Sequence, residues 1–269
     1  MFLMWLIKNQ PDPLPKKIAL FTLLLPVFLS WTCTGTHAPE VTSTGDTIVL
    51  RSSYIRDSVV TIDTLDIVFY IPVGAHAALT SKRPLKTEKD VIFCCAAAFT
   101  LLENNKIDGL FIENGKTVVR TVNHHLGGGI IIPSPTSTGK TRIFGTEMGA
   151  TLDSALIDSI QRTSSSFFQQ IQMVRDGQPL VFRKDVSRFQ RRAICILNGE
   201  AVVVETKWPC TLQKFADVLK KSGINDALYV DMGSWDEGWY RDERSAMHTI
   251  GMMKNSTGRQ SNWFVFRGQ

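Results

Sequence analysis

The stretch RRAICILNGEAVVVET, residues 191–206, sets two β-branched runs on either side of Asn198-Gly199. An Asn-Gly pair tolerates the positive φ angles that a two-residue hairpin turn demands, while flanking Val and Ile side chains fit a pleated surface. The segment therefore commits the chain to antiparallel pairing. Asn114-Gly115 within LFIENGKTVVR repeats the signal, and the alternation of SVVTIDTLDIVFYIPV inside residues 47–73 predicts strands with one buried face.

Other segments fit the same pattern. The apolar run VIFCCAAAFT (91–100) precedes a turn-rich ENNKIDG, and Leu126-Gly127-Gly128-Gly129 reads as a tight loop leading into a strand at Ile130-Ile131-Ile132. Residues 134–165, dense in Ser, Thr and Gly, read as loop with one short helix near 152–160. Thr211 caps a clear helix, TLQKFADVLKKSG, in which Leu212, Phe215, Ala216 and Leu219 share a face, Lys220-Lys221 stand in the last turn and Gly223 lies past the end. NDALYVDMG (225–233) reads as a short strand running into glycine, and SNWFVFRG (261–268) as a final strand. With few helices and no βαβ alternation, the expected fold is α+β, a single domain on mixed or antiparallel sheet. At 43% hydrophobic and 20% charged over 269 residues the chain can bury a core, which excludes disordered, collagen-like and small disulfide-stapled classes.

Residues 18–30, IALFTLLLPVFLS, carry no charge, follow Lys16-Lys17 and precede a small polar run after Trp31. That order is a signal peptide's, and the run is shorter than the ~20 apolar residues of a membrane span. Residues 1–33 are thus expected to be a leader, with 34–46 a polar tether and 47–269 the folded domain. Cys33 stands where a bacterial lipoprotein carries its acylated cysteine, plain secretion being the alternative. Both readings place the protein in or beyond a bacterial envelope, with membrane contact only through a lipid on Cys33.

Loss of residues 1–33 would lower the net charge from +5 to +3, and the short basic cluster Arg188, Arg191 and Arg192 is interleaved with core-type residues. This fits local anion recognition and excludes a nucleic-acid track. As strand neighbours, Cys94 and Cys95 point to opposite faces and cannot both face one core. Free buried thiols and one Cys195–Cys210 link are both open. No Cys or His spacing suggests zinc; no cofactor is called for, and a divalent cation is left open.

The succession Arg191-Arg192-Ala193-Ile194, hairpin, Thr211-Leu212 at a helix start, Gly223, Asp226-Ala227 and Tyr229-Val230-Asp231-Met232-Gly233-Ser234 resembles the C-terminal signature of the phosphodiester glycosidase family. FCCAAAF (93–99), FFQQIQMVRDGQ (167–178) and NWFVF are weaker echoes. One glycine stands in the 231–235 loop where the family has three, and no Asn lies near Cys95 where one is expected. These departures point to a divergent subgroup with another substrate, or to a member that has lost catalysis.

The resemblance implies an exported hydrolase that cleaves a sugar from a sugar-1-phosphodiester or related glycan. Such chemistry needs donors for the phosphate, a carboxyl for proton transfer or oxocarbenium stabilisation, and a surface for the sugar ring. Asp231, at the end of a strand, is the expected carboxyl, and Asp236 or Glu237 its expected partner, a solvated turn being the alternative. Arg191 aligns with the family arginine, whose fork matches two phosphate oxygens. Alternation sets Arg191 and Arg192 on opposite faces, one of them turned to solvent or a carboxylate, and Glu205 reads as Arg192's partner. Gly233, Ser234, Trp235, Trp239 and Arg241 are expected around the substrate. Trp235, Trp239 and Tyr240 either stack on a pyranose or fold back on the core.

His124-His125 read as one histidine on each strand face, since no acidic residue stands at ligand spacing. Gly139-Lys140-Thr141 resembles the end of a phosphate loop, but Ser134 occupies the place of its first glycine, so an NTPase is excluded. The alternative from another class is a non-catalytic surface lipoprotein that binds glycan through Trp235, Trp239 and Tyr240.

Overall fold

A computed structural model describes residues 53–182, 184–233, 236–251 and 258–268, all of which belong to one unit of the chain. The expected leader with Cys33, the tether, residues 47–52 and the site candidates Ser234 and Trp235 lie outside the described residues. In chain order the elements are β1 (Tyr54–Ile62), β2 (Leu65–Val73), β3 (Ala75–Thr80), β4 (Val91–Ala96), β5 (Phe111–Glu113), β6 (Lys116–Val119), β7 (Gly128–Ile132), β8 (Arg142–Gly145) and α1 (Ser154–Arg162). There follow β9 (Ser166–Gln170), β10 (Gln172–Arg175), β11 (Gln178–Pro179), β12 (Arg192–Leu197), β13 (Glu200–Thr206), α2 (Leu212–Lys221), β14 (Asp226–Tyr229), β15 (Gly238–Arg241), β16 (Met247–Ile250) and β17 (Trp263–Gly268).

The strands form three sheets, ordered β1-β2-β13-β12-β14-β10-β11, β16-β15-β4-β17-β3 and β6-β5-β9-β7-β8. Every pairing is antiparallel, so the α+β expectation resolves to its antiparallel form among the described residues. The β12–β13 hairpin turns at Asn198-Gly199 with φ of 53° and 81°, and β5–β6 at Asn114-Gly115 with 49° and 76°. The turn between β1 and β2 reaches the same left-handed region without glycine, at Asp63 and Thr64.

The three sheets meet in one core, to which the first contributes Ile194, Val203 and Leu228, the second Phe93, Cys95 and Phe264, and the third Phe111, Ile130 and Phe168. The far face of the first sheet is covered by α2, whose Phe215, Ala216 and Leu219 pack on Met173, Cys195 and Val204. Thr211 caps this helix through Lys214 N–H, and the apolar face inferred from its spacing is the buried one. Burying a Phe or Leu side chain in this way contributes about 1.5–3 kcal/mol. Asp153 caps α1, which covers the far face of the third sheet with Ile160 against Phe167.

Three details sharpen or correct the sequence expectation. Cys94 and Cys95 do point to opposite faces of β4, yet both are buried, because the second sheet has a further cluster on its outer face (Cys94, Trp239, Trp263, Val265). All four described cysteines are free, so Cys195 and Cys210 are not linked. The glycines of 127–129 are not all loop: β7 begins at Gly128, and a Cβ on Gly128 would stand 2.6 Å from Leu228 Cδ1. Packing between sheets, rather than a turn, explains that residue.

Candidate functional site

The 225–233 strand ends early, and the reason places Asp231. β14 stops at Tyr229, after which Val230 N–H donates to the Arg192 carbonyl and Asp231 N–H to the Ala97 carbonyl beyond β4. The chain thus leaves the first sheet and crosses to the end of the second. Asp231 is held there by two more bonds: its Oδ2 accepts from Thr100 N–H at 3.0 Å, and its Oδ1 from Gly233 N–H at 3.1 Å. Its carboxylate is therefore rigidly oriented at the junction of two sheets, though only 5% of the residue is exposed.

Asn262, just before β17, locks the other side of this junction. Its amide accepts from Ala98 N–H at 2.7 Å and donates to the Ala98 carbonyl at 3.1 Å, while Ser261 and Thr100 share a hydroxyl bond. Asn262 and Thr100 were not singled out from the sequence. The only trace of Asn262 there was the motif NWFVF, and Thr100 was simply the last letter of an apolar run.

Arg191 and Arg192 diverge as alternation requires, but neither reaches solvent. Arg191, 3% exposed, turns toward α2, where Nη2 donates to Asp185 Oδ2 at 3.2 Å and to the Ser187 carbonyl, and Nε to the Cys210 carbonyl. Only its Nη1 faces the candidate site, 3.5 Å from the Tyr229 hydroxyl. The expectation of an open guanidinium fork on Arg191 is corrected accordingly: its donors are taken from within by Asp185, Ser187 and Cys210, none of them part of the motif. Arg192 turns to the central core, with Nε 2.7 Å from Glu205 Oε2 and Nη1 2.9 Å from Asp236 Oδ1. Glu205 is thus Arg192's partner, as read from the sequence, and Asp236 is the second one. Arg192 Nη2 and Asp236 Oδ2 have no protein hydrogen-bond partner. Burial pushes the Glu205 carboxyl up, against the lowering pull of Arg192.

Tyr229 lies between these charges. Burial raises its phenol, the Arg191 guanidinium lowers it, and the charges of Asp231 and Asp236 raise it. The structure therefore brings the charges of Asp231, Asp236 and Arg191 to bear on one buried tyrosine, whose ring also packs on Phe99, while Arg192 lies on the other face of the strand.

Glu237 does not join them. Its carboxylate pairs with Arg83, Oε1 to Nε at 2.7 Å, on the outer side of the second sheet. Trp239, 5% exposed, packs on that same outer face, so it is not an open platform beside Asp231. Tyr240 goes the other way, 5.2 Å from the Tyr70 ring and stacked on His248. Of the two sequence alternatives for these aromatics, folding back on the core is the observed one. Arg241 lies over Trp239 and donates to the carbonyls of Val91 and Lys86, which makes it a tie between segments. Gly233 is placed beside Asp231 through its N–H. His124 meets the Met148 carbonyl, and no cluster of three or more potential metal ligands occurs among the described residues.

No family model and no curated protein matches the chain. Among solved structures, a hypothetical protein from Synechocystis is similar over 80% of this chain and 62% of its own, at 10% identity and a TM-score of 0.49. The catalytic domain of zebrafish N-acetylglucosamine-1-phosphodiester alpha-N-acetylglucosaminidase (NAGPA), auto-inhibited by its pro-peptide, is similar over 81% of this chain and 83% of its own, at 14% identity and a TM-score of 0.52. What this chain shares with that domain is the fold.

Proposed function

We propose that this chain is a hydrolase of the phosphodiester glycosidase type, removing a sugar from a sugar-1-phosphodiester or related glycan. The observation that carries the reading is the likeness of the three-sheet fold to the NAGPA catalytic domain over four-fifths of both chains. Asp231 supports it, because a carboxylate fixed by the N–H groups of Thr100 and Gly233 has the rigid support that acid–base chemistry requires. In this mechanism water bonds to the anomeric carbon as the bond to the phosphate oxygen breaks, and Asp231 takes the proton that the water gives up. Arg191, acting across Tyr229, offsets charge developing on the departing phosphate. Asp236, held by Arg192, fixes the chain between Asp231 and β15.

The test is sugar release from an N-acetylglucosamine 1-phosphodiester by the purified chain. Asp231→Asn should lower kcat by about a hundredfold or more, the scale of positioned acid–base catalysis. A second reading, a chain that has lost turnover, is favoured by one observation: Asp231 and Arg191 are only 5% and 3% exposed. Saturable binding with no release by the wild type would select it.

Export to a bacterial envelope belongs to the same proposal, with residues 1–33 as leader and Cys33 as the acylated end. The uncharged run at 18–30 supports it, and the mass of the mature chain tests it.

A further inference from the structure

The outer face of the second sheet holds a cavity of about 250 Å³, lined by Arg83, Leu85, Lys86, Cys94, Glu237, Trp239, Thr249 and Trp263 among others. β4 separates it from the Asp231 junction: Cys94 faces the cavity, while Cys95, next in sequence, faces the central core with Arg192 and Asp236 beside it. The two indoles flank β4 from the neighbouring strands β15 and β17, Trp239 opposite Cys94 and Trp263 opposite Ala96.

The polar groups of this cavity are mostly donors. Neither Trp239 nor Trp263 has a protein acceptor for its indole N–H among the described residues, and neither N–H is among the sealed, unsatisfied atoms. Each residue is about 95% buried, at 5% and 4% exposure, so an indole N–H left open on the cavity side is a built feature rather than a surface accident. The Lys86 ammonium has no carboxylate partner among the described residues. The sole carboxylate lining the cavity, Glu237, is already taken by Arg83, at 2.7 Å and 3.3 Å. The volume is below the ~300–1,000 Å³ of drug-sized ligand sites, which sets the scale at one small ring.

From these observations we infer that the cavity is a binding site, distinct from the Asp231 junction, for a small ring-bearing anion of the sugar phosphate or sugar acid class. The ring is met at the N–H edges of the indoles, whose faces are packed, and the anion by Lys86 with Arg83 at the rim. The inference does not depend on the proposed hydrolysis.

Titration calorimetry on the full chain tests it, with glucose 1-phosphate and glucuronate as probes and glucose and inorganic phosphate as comparators. Saturable heat is expected for at least one ring anion, with affinity at least tenfold weaker for glucose and for inorganic phosphate. Lys86→Ala, an exposed change, should weaken binding tenfold or more. Thr249→Trp, which fills the cavity from an exposed position on β16, should abolish it, and Asp231→Asn should leave it unchanged. Absence of heat with both ring anions overturns the inference, as does full binding to the Thr249→Trp chain. Loss of binding in Asp231→Asn would move the site to the junction and equally overturn it.

Discussion

Replacing Arg192 with Leu removes the one cation of a sealed cluster. Arg192 is 0% exposed, and its fork neutralises two carboxylates, Glu205 at 2.7 Å and Asp236 at 2.9 Å. Without it, two acids from different segments face each other in the core with no counter-charge. Breaking a buried pair by deleting one partner destabilises by about 3–5 kcal/mol, and the first sheet would also lose its tie to the chain leading into β15. The deficit should depend on pH. In the wild type, burial already raises the Glu205 carboxyl above its ordinary 4.5. The folded chain therefore binds that proton more readily than the unfolded one, and stability falls as pH climbs through the window above 4.5. Removing Arg192 raises the Glu205 carboxyl further, so the penalty of Arg192→Leu should be largest near neutral pH and shrink on acidification. Urea unfolding at pH 7.5 and pH 5.5 measures both effects. The triple change Arg192→Met, Glu205→Leu and Asp236→Leu should recover most of the loss, since an apolar replacement of a buried ion cluster is often neutral or stabilising, by about 1–4 kcal/mol. Two orphaned atoms, Arg192 Nη2 and Asp236 Oδ2, make that recovery more favourable. A single-variant loss under about 1 kcal/mol, or a penalty that grows on acidification, would refute the reasoning.

Three further outcomes follow from the same packing. Asn262→Ala strands the N–H and carbonyl of Ala98 in the interior, and should lower stability by about 2–4 kcal/mol in urea unfolding. Trp239→Ala empties the outer cluster of the second sheet, so it should cost about 3–5 kcal/mol of stability rather than act on affinity alone. The thiols of Cys94, Cys95, Cys195 and Cys210 are free and buried, with Cys95 pushed up to about 12 by desolvation. At pH 8 they should resist a disulfide-exchange reagent until denaturant is added, which absorbance at the released thiolate records.

What the sequence reveals of this fold is local. Asn198-Gly199 and Asn114-Gly115 mark their hairpins because glycine after asparagine fits left-handed backbone. Thr211 and Lys220-Lys221 mark both ends of α2. The β1–β2 turn escaped notice because Asp63 and Thr64 make it without glycine. Order within the sheets is non-local: β2 pairs β13 across more than a hundred residues, and β3 pairs β17 across nearly two hundred. For the site, alternation correctly separated Arg191 from Arg192, but period two says only that faces differ. It does not say that α2 covers one face and the second sheet the other, so solvent and a carboxylate both stayed open as the partner of one arginine, where the structure buries both and pairs each with a carboxylate. The same blindness affected Trp239, Tyr240 and Glu237. Close to Asp236 in sequence, they go to opposite sides of a sheet whose two faces are both covered, Trp239 and Tyr240 by the alternation of β15 and Glu237 from the residue before it.

The most direct test compares the initial rate of sugar release from an N-acetylglucosamine 1-phosphodiester for the wild-type chain and for Asp231→Asn, with urea unfolding of both in parallel. The account expects turnover by the wild type and a collapse of the rate in a variant that stays folded in the assay, its unfolding midpoint lowered only by the one backbone N–H that the amide NH2 leaves unpaired. Equal rates in the two chains, or an inert wild type, would contradict it.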